Sequence, residues 1–315
     1  MDRDKEDPNL NKRSVVVIKL VVGVAVAVFT VYWVDATVSW SAVFELLAGV
    51  SLLTVLMVVA GIVLSHFLRA FRLMLCYRHM DSRFREICGI AFVHNSLNFW
   101  LPMRLGEVAL PILSKTSINV GYADSVLTLA YIRQMDIHVL LLLVFIFAGG
   151  SVFQGYYYWV VLACLAGFPL IVFSTRFWSR RLRLVRRIQT ITGSGAYVLA
   201  AYFVTLAVWL AKLGGLSYLA LELSDIQFDH AWVAIILADA TSVSPITGLA
   251  NAGTFEAGFV LPLGLLGYGQ AETLSVAVAI HIVLGLVSLA VGILGWMLLD
   301  KNIRYVSGDA GKALK

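Results

Sequence analysis

Two stretches of this sequence place ionisable side chains beside proline and glycine inside otherwise apolar runs. The first is Asn98-Phe-Trp-Leu-Pro-Met-Arg-Leu-Gly-Glu107, in which Arg104 and Glu107 stand three residues apart. The second is Ser244-Pro-Ile-Thr-Gly-Leu-Ala-Asn-Ala-Gly-Thr-Phe-Glu256, which carries Asn251, Thr254 and Glu256. Arg133 and Asp136 repeat the i, i+3 spacing, which puts both on one face of a helix. Lys212 and Asp239 complete the set, each within apolar sequence. Three cations among carboxylates suit the binding of an anion, most naturally a phosphate, with the carboxylates free to take up or release protons. Helix N-termini at the two breaks would add inward-facing N–H groups and the positive end of a dipole. An intramembrane lipid-modifying enzyme is the rival chemistry. The sequence offers it no HExxH, no GxSxG and no acidic metal cluster, so no catalytic residue, metal or cofactor is assigned.

These residues need a membrane to make sense. The 315-residue chain is 60% hydrophobic and 14% charged, with a mean hydropathy of +0.87. A soluble domain carries about a quarter charged residues. That excludes an ordinary cytosolic enzyme, a disordered chain and a secreted disulfide scaffold. Cys76, Cys88 and Cys164 have no metal-type or CxxC spacing, and the net charge of +5 is too diluted to suggest nucleic acid. The first apolar run starts near Ser14 without a small-x-small cleavage site and reads as a retained span.

A spanning helix needs about 20 mainly apolar residues. Six segments meet that length or approach it: Ser14 to Val34, Ala42 to Leu64 or a little beyond, Ser125 to Ala148, Tyr156 to Phe173, Ala196 to Leu221 and Thr273 to Leu299. The segments Ile87 to Ser114 and His230 to Gly267 are apolar but broken in the middle. Their arms, about 10–15 residues or 15–22 Å of helix, are too short to cross and predict two re-entrant hairpins. With both termini cytoplasmic, all but four of the 24 Lys and Arg fall on the cytoplasmic side, Arg69 and Arg72 among them as loop charges. The four are Lys19, Arg104, Arg133 and Lys212, and the outer connection carries Glu222, Asp225 and Asp229 instead. This satisfies the positive-inside rule, with Tyr32, Trp33, Trp40 and Tyr156 to Trp159 marking the outer interface.

The expected fold is therefore an all-α polytopic membrane protein in one integral domain. A tail (1–13) precedes a first repeat (14–149, hairpin 87–114), a second repeat (150–300, hairpin 230–267) and a C-terminal tail (301–315). Each half reads span, span, hairpin, span. Three spans per half invert one repeat relative to the other, and four of the six prolines sit in the hairpins. Inverted repeats with broken helices near the midplane are a transporter signature.

Blander readings stand beside the functional one. Arg104–Glu107 and Arg133–Asp136 can simply neutralise each other and pin a hairpin. Asp136 serves Arg133, and Lys212 pairs with Asp239 or Glu256. Asn98, Asn251 and Thr254 read as caps of half-helices. His94, His138 and His281 read as packed or hydrogen-bonded structural residues, and Lys19 and Glu45 as groups reaching water near span ends.

The N-x-x-L-P-x-R-x-G-E element at Asn98 to Glu107, the Arg133-Gln-Met-Asp136 opening of a span, Gly253-Thr-Phe-Glu256 and Leu263-Gly-Leu-Leu-Gly267 together resemble one family. It is the lysylphosphatidylglycerol synthase transmembrane region, also called flippase-like. The resemblance extends from about Ser14 to Leu299. It implies a multi-pass protein that acts on membrane lipids, with Arg104, Glu107, Arg133, Thr254 and Glu256 as core residues. In the full-length synthases this region is thought to flip an aminoacylated lipid made by a separate cytosolic domain. Only about fifteen residues follow the last span here, so the name synthase is not carried over. Where many relatives place an Arg shortly after Gly-Glu, this chain has Val108-Ala-Leu-Pro111, and the headgroup preference is not carried over either.

The expected function is translocation of an anionic phospholipid or polyprenyl-phosphate-type lipid between leaflets of a bacterial or archaeal cytoplasmic membrane, with Glu107 and Glu256 as gating or proton-linked groups. Membrane lipids are the expected partners, nucleic acid is not, and a homo-oligomer is compatible with the sequence. A small-anion transporter or channel is the alternative from another class.

Overall fold

The computed structural model describes residues 8–78, 80, 82–152, 158, 159, 162, 167, 193–241 and 247–312. The expected span from Tyr156 to Phe173, the basic block from Arg176 to Arg187 and the Ser244-Pro245 pair lie outside these residues or almost wholly so. Among the described residues ten α-helices follow in order: α1 (Pro8–Thr37), α2 (Trp40–Gly49), α3 (Leu52–Cys76), α4 (Phe84–Trp100), α5 (Ala109–Ile118), α6 (Tyr122–Val152), α7 (Gly195–Leu223), α8 (Phe228–Ala240), α9 (Thr254–Leu265) and α10 (Gln270–Lys312). Short 3₁₀ turns at Pro102–Val108 and Leu249–Asn251 occupy the two breaks.

Among the described residues four helices are long and apolar enough to cross a membrane: α3, the Tyr122–Ala148 stretch of α6, α7 and the Gln270–Leu299 stretch of α10. The Val21–Thr37 stretch of α1 and helix α2 qualify together, as a pair bent by 83°. Each of the two broken apolar segments forms a pair of short helices, parted where the sequence placed the breaks. Their arms hold 17 and 10 residues in α4 and α5, and 13 and 12 in α8 and α9. At 1.5 Å per residue the longest reaches about 25 Å, short of a 30 Å core. Large apolar side chains such as Phe29, Leu52, Leu56, Leu261 and Met297 lie exposed on the outside, as acyl-chain contact requires.

One expected span is corrected. Ala42 to Leu64 is not a single helix, because Ser51 starts a new one. Its Oγ accepts from the Thr54 N–H at 3.2 Å, and its own N–H donates to Glu222 Oε1 at 2.8 Å, tying the start of α3 to the end of α7. Thr54 Oγ1 donates to the other oxygen of Glu222. The span therefore begins at Leu52 and runs on to Cys76. That draws Arg69 and Arg72, expected as loop charges, into the helix, and Arg72 is 2% exposed.

Helix α10 threads the centre: Leu274, Val276, Ala277, Ala279 and Ile280 are all buried, as expected of a helix that is apolar on every side. Small residues set the closest approaches. Gly61 of α3 lies on the Ala211 carbonyl of α7, and Gly215 of α7 lies on Val58 of α3. Helix α4 meets α10 in the same way, with Gly292 on Ser96 and Gly295 on Phe92 and Val93. Without a hydrophobic drive between helices in lipid, such backbone contact supplies the packing. A Cβ on Gly61 would fall 2.6 Å from the Ala211 oxygen, an atom of rigid backbone, whereas one on Gly264 meets nothing within 4 Å. Gly61→Val is therefore expected to cost about 1–3 kcal/mol and Gly264→Ala close to nothing, read as thermal midpoints in detergent.

Candidate functional site

The two breaks touch. The Met103 N–H donates to the carbonyl of Thr247 at 3.2 Å and to its Oγ1 at 2.9 Å. Each break turns through two consecutive left-handed residues: Met103 (φ 51°) and Arg104 (φ 58°) in the first, Ala250 (φ 54°) and Asn251 (φ 60°) in the second. A non-glycine residue there costs about 1–2 kcal/mol, less for asparagine. Such a conformation persists where surroundings over-determine it. Helix α1 supplies part of that constraint. Gly23 lies against Pro102, while Val26 and Thr30 lie against Gly253.

Each break delivers a glutamate to a base on the next long helix. Arg104 Nη2 lies 2.5 Å from Glu107 Oε1, and the Arg133 Nε–H of α6 donates to the same oxygen at 3.1 Å. In the second half His281 Nδ1 of α10 lies 2.6 Å from Glu256 Oε1. The partners are 26 residues apart in the first pair and 25 in the second. Glu256 has a further duty, because its Oε2 accepts from the Gly253 N–H at 2.8 Å and caps α9. Thr254, expected as a cap, instead donates to the Asn251 carbonyl at 2.9 Å. Asn98 and Asn251 face the cavity described below. His281, expected to be structural, belongs to the second break.

Asp136 is also reassigned. Its chief partner is Arg72, whose Nη1 donates to Oδ1 at 2.6 Å, whereas Arg133 stands 3.5 Å from Oδ2. The Trp209 indole N–H reaches Oδ1 at 3.0 Å and the Arg72 Nη1 also bonds Thr205 Oγ1 at 2.9 Å. Lys212 does pair with Asp239, at 2.6 Å, and not with Glu256.

Between these groups lies a cavity of about 60 Å³, room for about two waters. Five of the expected site residues line it: Asn98, Arg133, Lys212, Asp239 and Asn251. Arg104 and Glu107 join it through Arg133, Asp136 is buried behind Arg133 and Trp209, and Thr254 and Glu256 support it through Asn251 and Ala250. Arg69, His66, Asn95 and Trp209 are the other large polar groups of the wall, which Ser65, Phe99, Leu284 and Ser288 complete. A smaller void shares Arg69, Asn95 and Arg133 and adds Arg72 and His94, so guanidinium groups continue toward α5 and α6.

Arg69 is the decisive addition. Its guanidinium stacks over the Trp209 ring at 5.0 Å, with Lys212 at 5.8 Å from the same ring. Among the described residues no carboxylate lies within ion-pair distance of Arg69. Five cations (Arg69, Arg72, Arg104, Arg133, Lys212) thus meet three carboxylates (Glu107, Asp136, Asp239), and the cavity carries excess positive charge. The signal for Arg69 and Arg72 was in the sequence: Ser65, Arg69 and Arg72 follow i, i+4, i+7 within apolar sequence that runs on past Leu64. Thr205, Trp209 and Lys212 make the matching stripe on α7.

Removing one partner of the buried Arg72–Asp136 pair strands a charge. Asp136→Leu is expected to cost about 3–5 kcal/mol, and Arg72→Met combined with it to recover most of that loss. Thermal unfolding of the two variants in detergent measures both.

No curated protein matches the chain. A sequence profile of the lysylphosphatidylglycerol synthase TM region matches residues 20–292, a stretch that contains both breaks, both glutamate–base pairs and every residue of the cavity wall. The protein is a multi-pass membrane protein, and it belongs to the lysylphosphatidylglycerol synthase transmembrane-region family.

Proposed function

We propose that the chain translocates a lipid with an anionic phosphate headgroup between the leaflets of a bacterial or archaeal cytoplasmic membrane, and that it does so as a transporter rather than an enzyme. The observation that carries this reading is the Arg69 guanidinium, turned to a buried cavity without a carboxylate of its own. A half-buried cation with no carboxylate in contact is under-compensated, and a phosphate oxygen is a partner that offsets the cost. Arg133 and Lys212 stand on the same wall, each already joined to a carboxylate that can yield to a stronger anion. Asn98 and Asn251 contribute amide groups to orient it.

The cavity in this conformation is too small for a whole headgroup, so access requires the halves to part. The two breaks form the seam. In the proposed arrangement α3 to α6 and α7 to α10 are inverted repeats, each built as span, re-entrant hairpin, span, with both chain ends cytoplasmic. Rocking of one repeat against the other then opens the seam to alternate sides. The apolar surroundings favour a lipid-borne phosphate over a free ion. The small volume is the one observation that favours a soluble anion instead.

The test uses the purified protein in phosphatidylcholine vesicles that contain a fluorescent phosphatidylglycerol, with an external reductant to bleach the outer leaflet. Bleaching that exceeds the outer-leaflet share supports translocation; bleaching that stops at that share sinks it. Arg69→Gln is expected to slow lipid movement about 10–100-fold, the worth of one charge-assisted hydrogen bond, with an unchanged thermal midpoint. Uptake of radiolabelled inorganic phosphate without lipid movement would favour the soluble-anion reading.

A further inference from the structure

The two glutamate–base pairs occupy matching places but differ in one chemical respect. Arginine keeps its proton at any pH a cell meets, and histidine does not. Glu107–Arg133 is therefore a permanent ion pair, while Glu256–His281 can lose a proton.

The geometry fixes the proton count of the second pair. His281 Nε2 lies 2.8 Å from the Ala250 carbonyl, which can only accept, so Nε2 carries a hydrogen. Nδ1 lies 2.6 Å from Glu256 Oε1, a contact that requires a further proton between the two atoms. As drawn, the pair holds one proton more than a neutral imidazole beside a carboxylate. Both side chains are buried, at 10% and 5% exposure. Both also hold the second break: the imidazole bonds the left-handed Ala250, and the carboxylate caps the Gly253 N–H. Asn251, between them, is part of the cavity wall.

We infer that Glu256 and His281 together form the proton-binding site of the transport cycle, and that release of this proton frees the Ala250–Gly253 turn and so moves Asn251 out of the cavity wall. Loss of the shared proton leaves a carboxylate facing the Nδ1 lone pair. That contact is repulsive, and the imidazole must turn to relieve it. The proton goes to water that enters the opened seam. Few other charges bear on the pair. From α8 comes Asp239, close enough to act on the imidazole but held by Lys212 of α7. From α3 come His66 and Arg69, on the cavity wall beside Leu284 and Ser288 of α10. From α4 and α9 the rings of Phe99 and Phe255 contact the imidazole and are neutral. From α1 the described neighbour of the turn, Thr30, is neutral as well.

The transport arm of this proposal rests on the translocase reading; the proton site does not. Two measurements separate them. In nanodiscs, ¹⁵N-histidine NMR of the wild-type protein, with His281→Gln to assign the signal, should show a doubly protonated or proton-sharing His281 that converts to one neutral tautomer between about pH 5 and 9. Glu256→Gln should shift that conversion to lower pH. One unchanged His281 signal across that range, the same in Glu256→Gln, overturns the proton site. In the phosphatidylcholine vesicles with fluorescent phosphatidylglycerol, a pH difference of one unit, about tenfold in proton concentration, should bias wild-type lipid movement. His281→Arg, which cannot release this proton, should hold the turn in place, slow lipid movement and abolish that bias. A bias in His281→Arg equal to that of wild type overturns the coupling and leaves the translocase standing. No lipid movement in wild type sinks the translocase and the coupling, and the NMR then decides the proton site by itself.

Discussion

The contact on which the rest depends is the hydrogen bonding between Met103 and Thr247, where one break meets the other. Backbone at membrane depth cannot be left without partners, since no water is there to replace a lost bond. Each break has given up helical bonds at its turn, and each meets the other across the seam. Neither hairpin is therefore self-sufficient. The left-handed pairs Met103–Arg104 and Ala250–Asn251 cost energy wherever they occur, and the second hairpin, α1 and the ion pairs supply what holds them. A structure whose irregular backbone is satisfied in part by its counterpart has an inherent dividing line, and the cavity lies on it.

Around that line the two halves use the same parts with different chemistry. In each, a long helix leads to a broken pair and then to a second long helix, and a glutamate from beyond the break reaches the second helix at almost equal sequence separation. The first half finishes the pair with arginines, the second with a histidine that also holds a backbone carbonyl. Glu256 does three things at once: it caps α9, it orients His281 and it fixes the turn that carries Asn251. The first half divides that labour among Arg104, Glu107 and Arg133.

Much of this was legible in the sequence. The hairpins announce themselves because proline and glycine interrupt apolar runs too short to cross when halved, and the family resemblance rests on the same residues. Arg104, Glu107, Arg133 and the Lys212–Asp239 pair stand out because charge in apolar sequence has few reasons to be there. What was missed has physical causes. Ser51 caps a helix in the middle of an unbroken apolar run, so hydropathy placed the second span about three turns too early in the chain. That shift put Arg69 and Arg72 in a loop, where basic residues are unremarkable. His281 was passed over because a single histidine in an apolar helix carries no local sign of its partner, here 25 residues away and across a break. Asp136 was given to Arg133 on spacing, and tertiary packing brought Arg72 closer.

The balance of charge bears on how so polar a cluster can sit in a membrane and serve the anion binding proposed for it. Burying an ion is costly, and the cost of the five cations here is offset mostly by fixed carboxylates. Arg133 shows the consequence. It lies between Glu107 at 3.1 Å and Asp136 at 3.5 Å, on two different elements, and neither contact is a close two-point pairing. In the proposed reading, a phosphate that arrives beside Arg69 meets groups already mostly withdrawn from water, the Arg133 and Lys212 side chains being 17% and 13% exposed. It needs only to displace one carboxylate from a cation that has two, and the displaced carboxylate remains near other cations. The exchange is between similar interactions, so its free-energy change is small in either direction. A carrier needs that property more than tight binding, since a site that held the headgroup strongly would not release it on the other side.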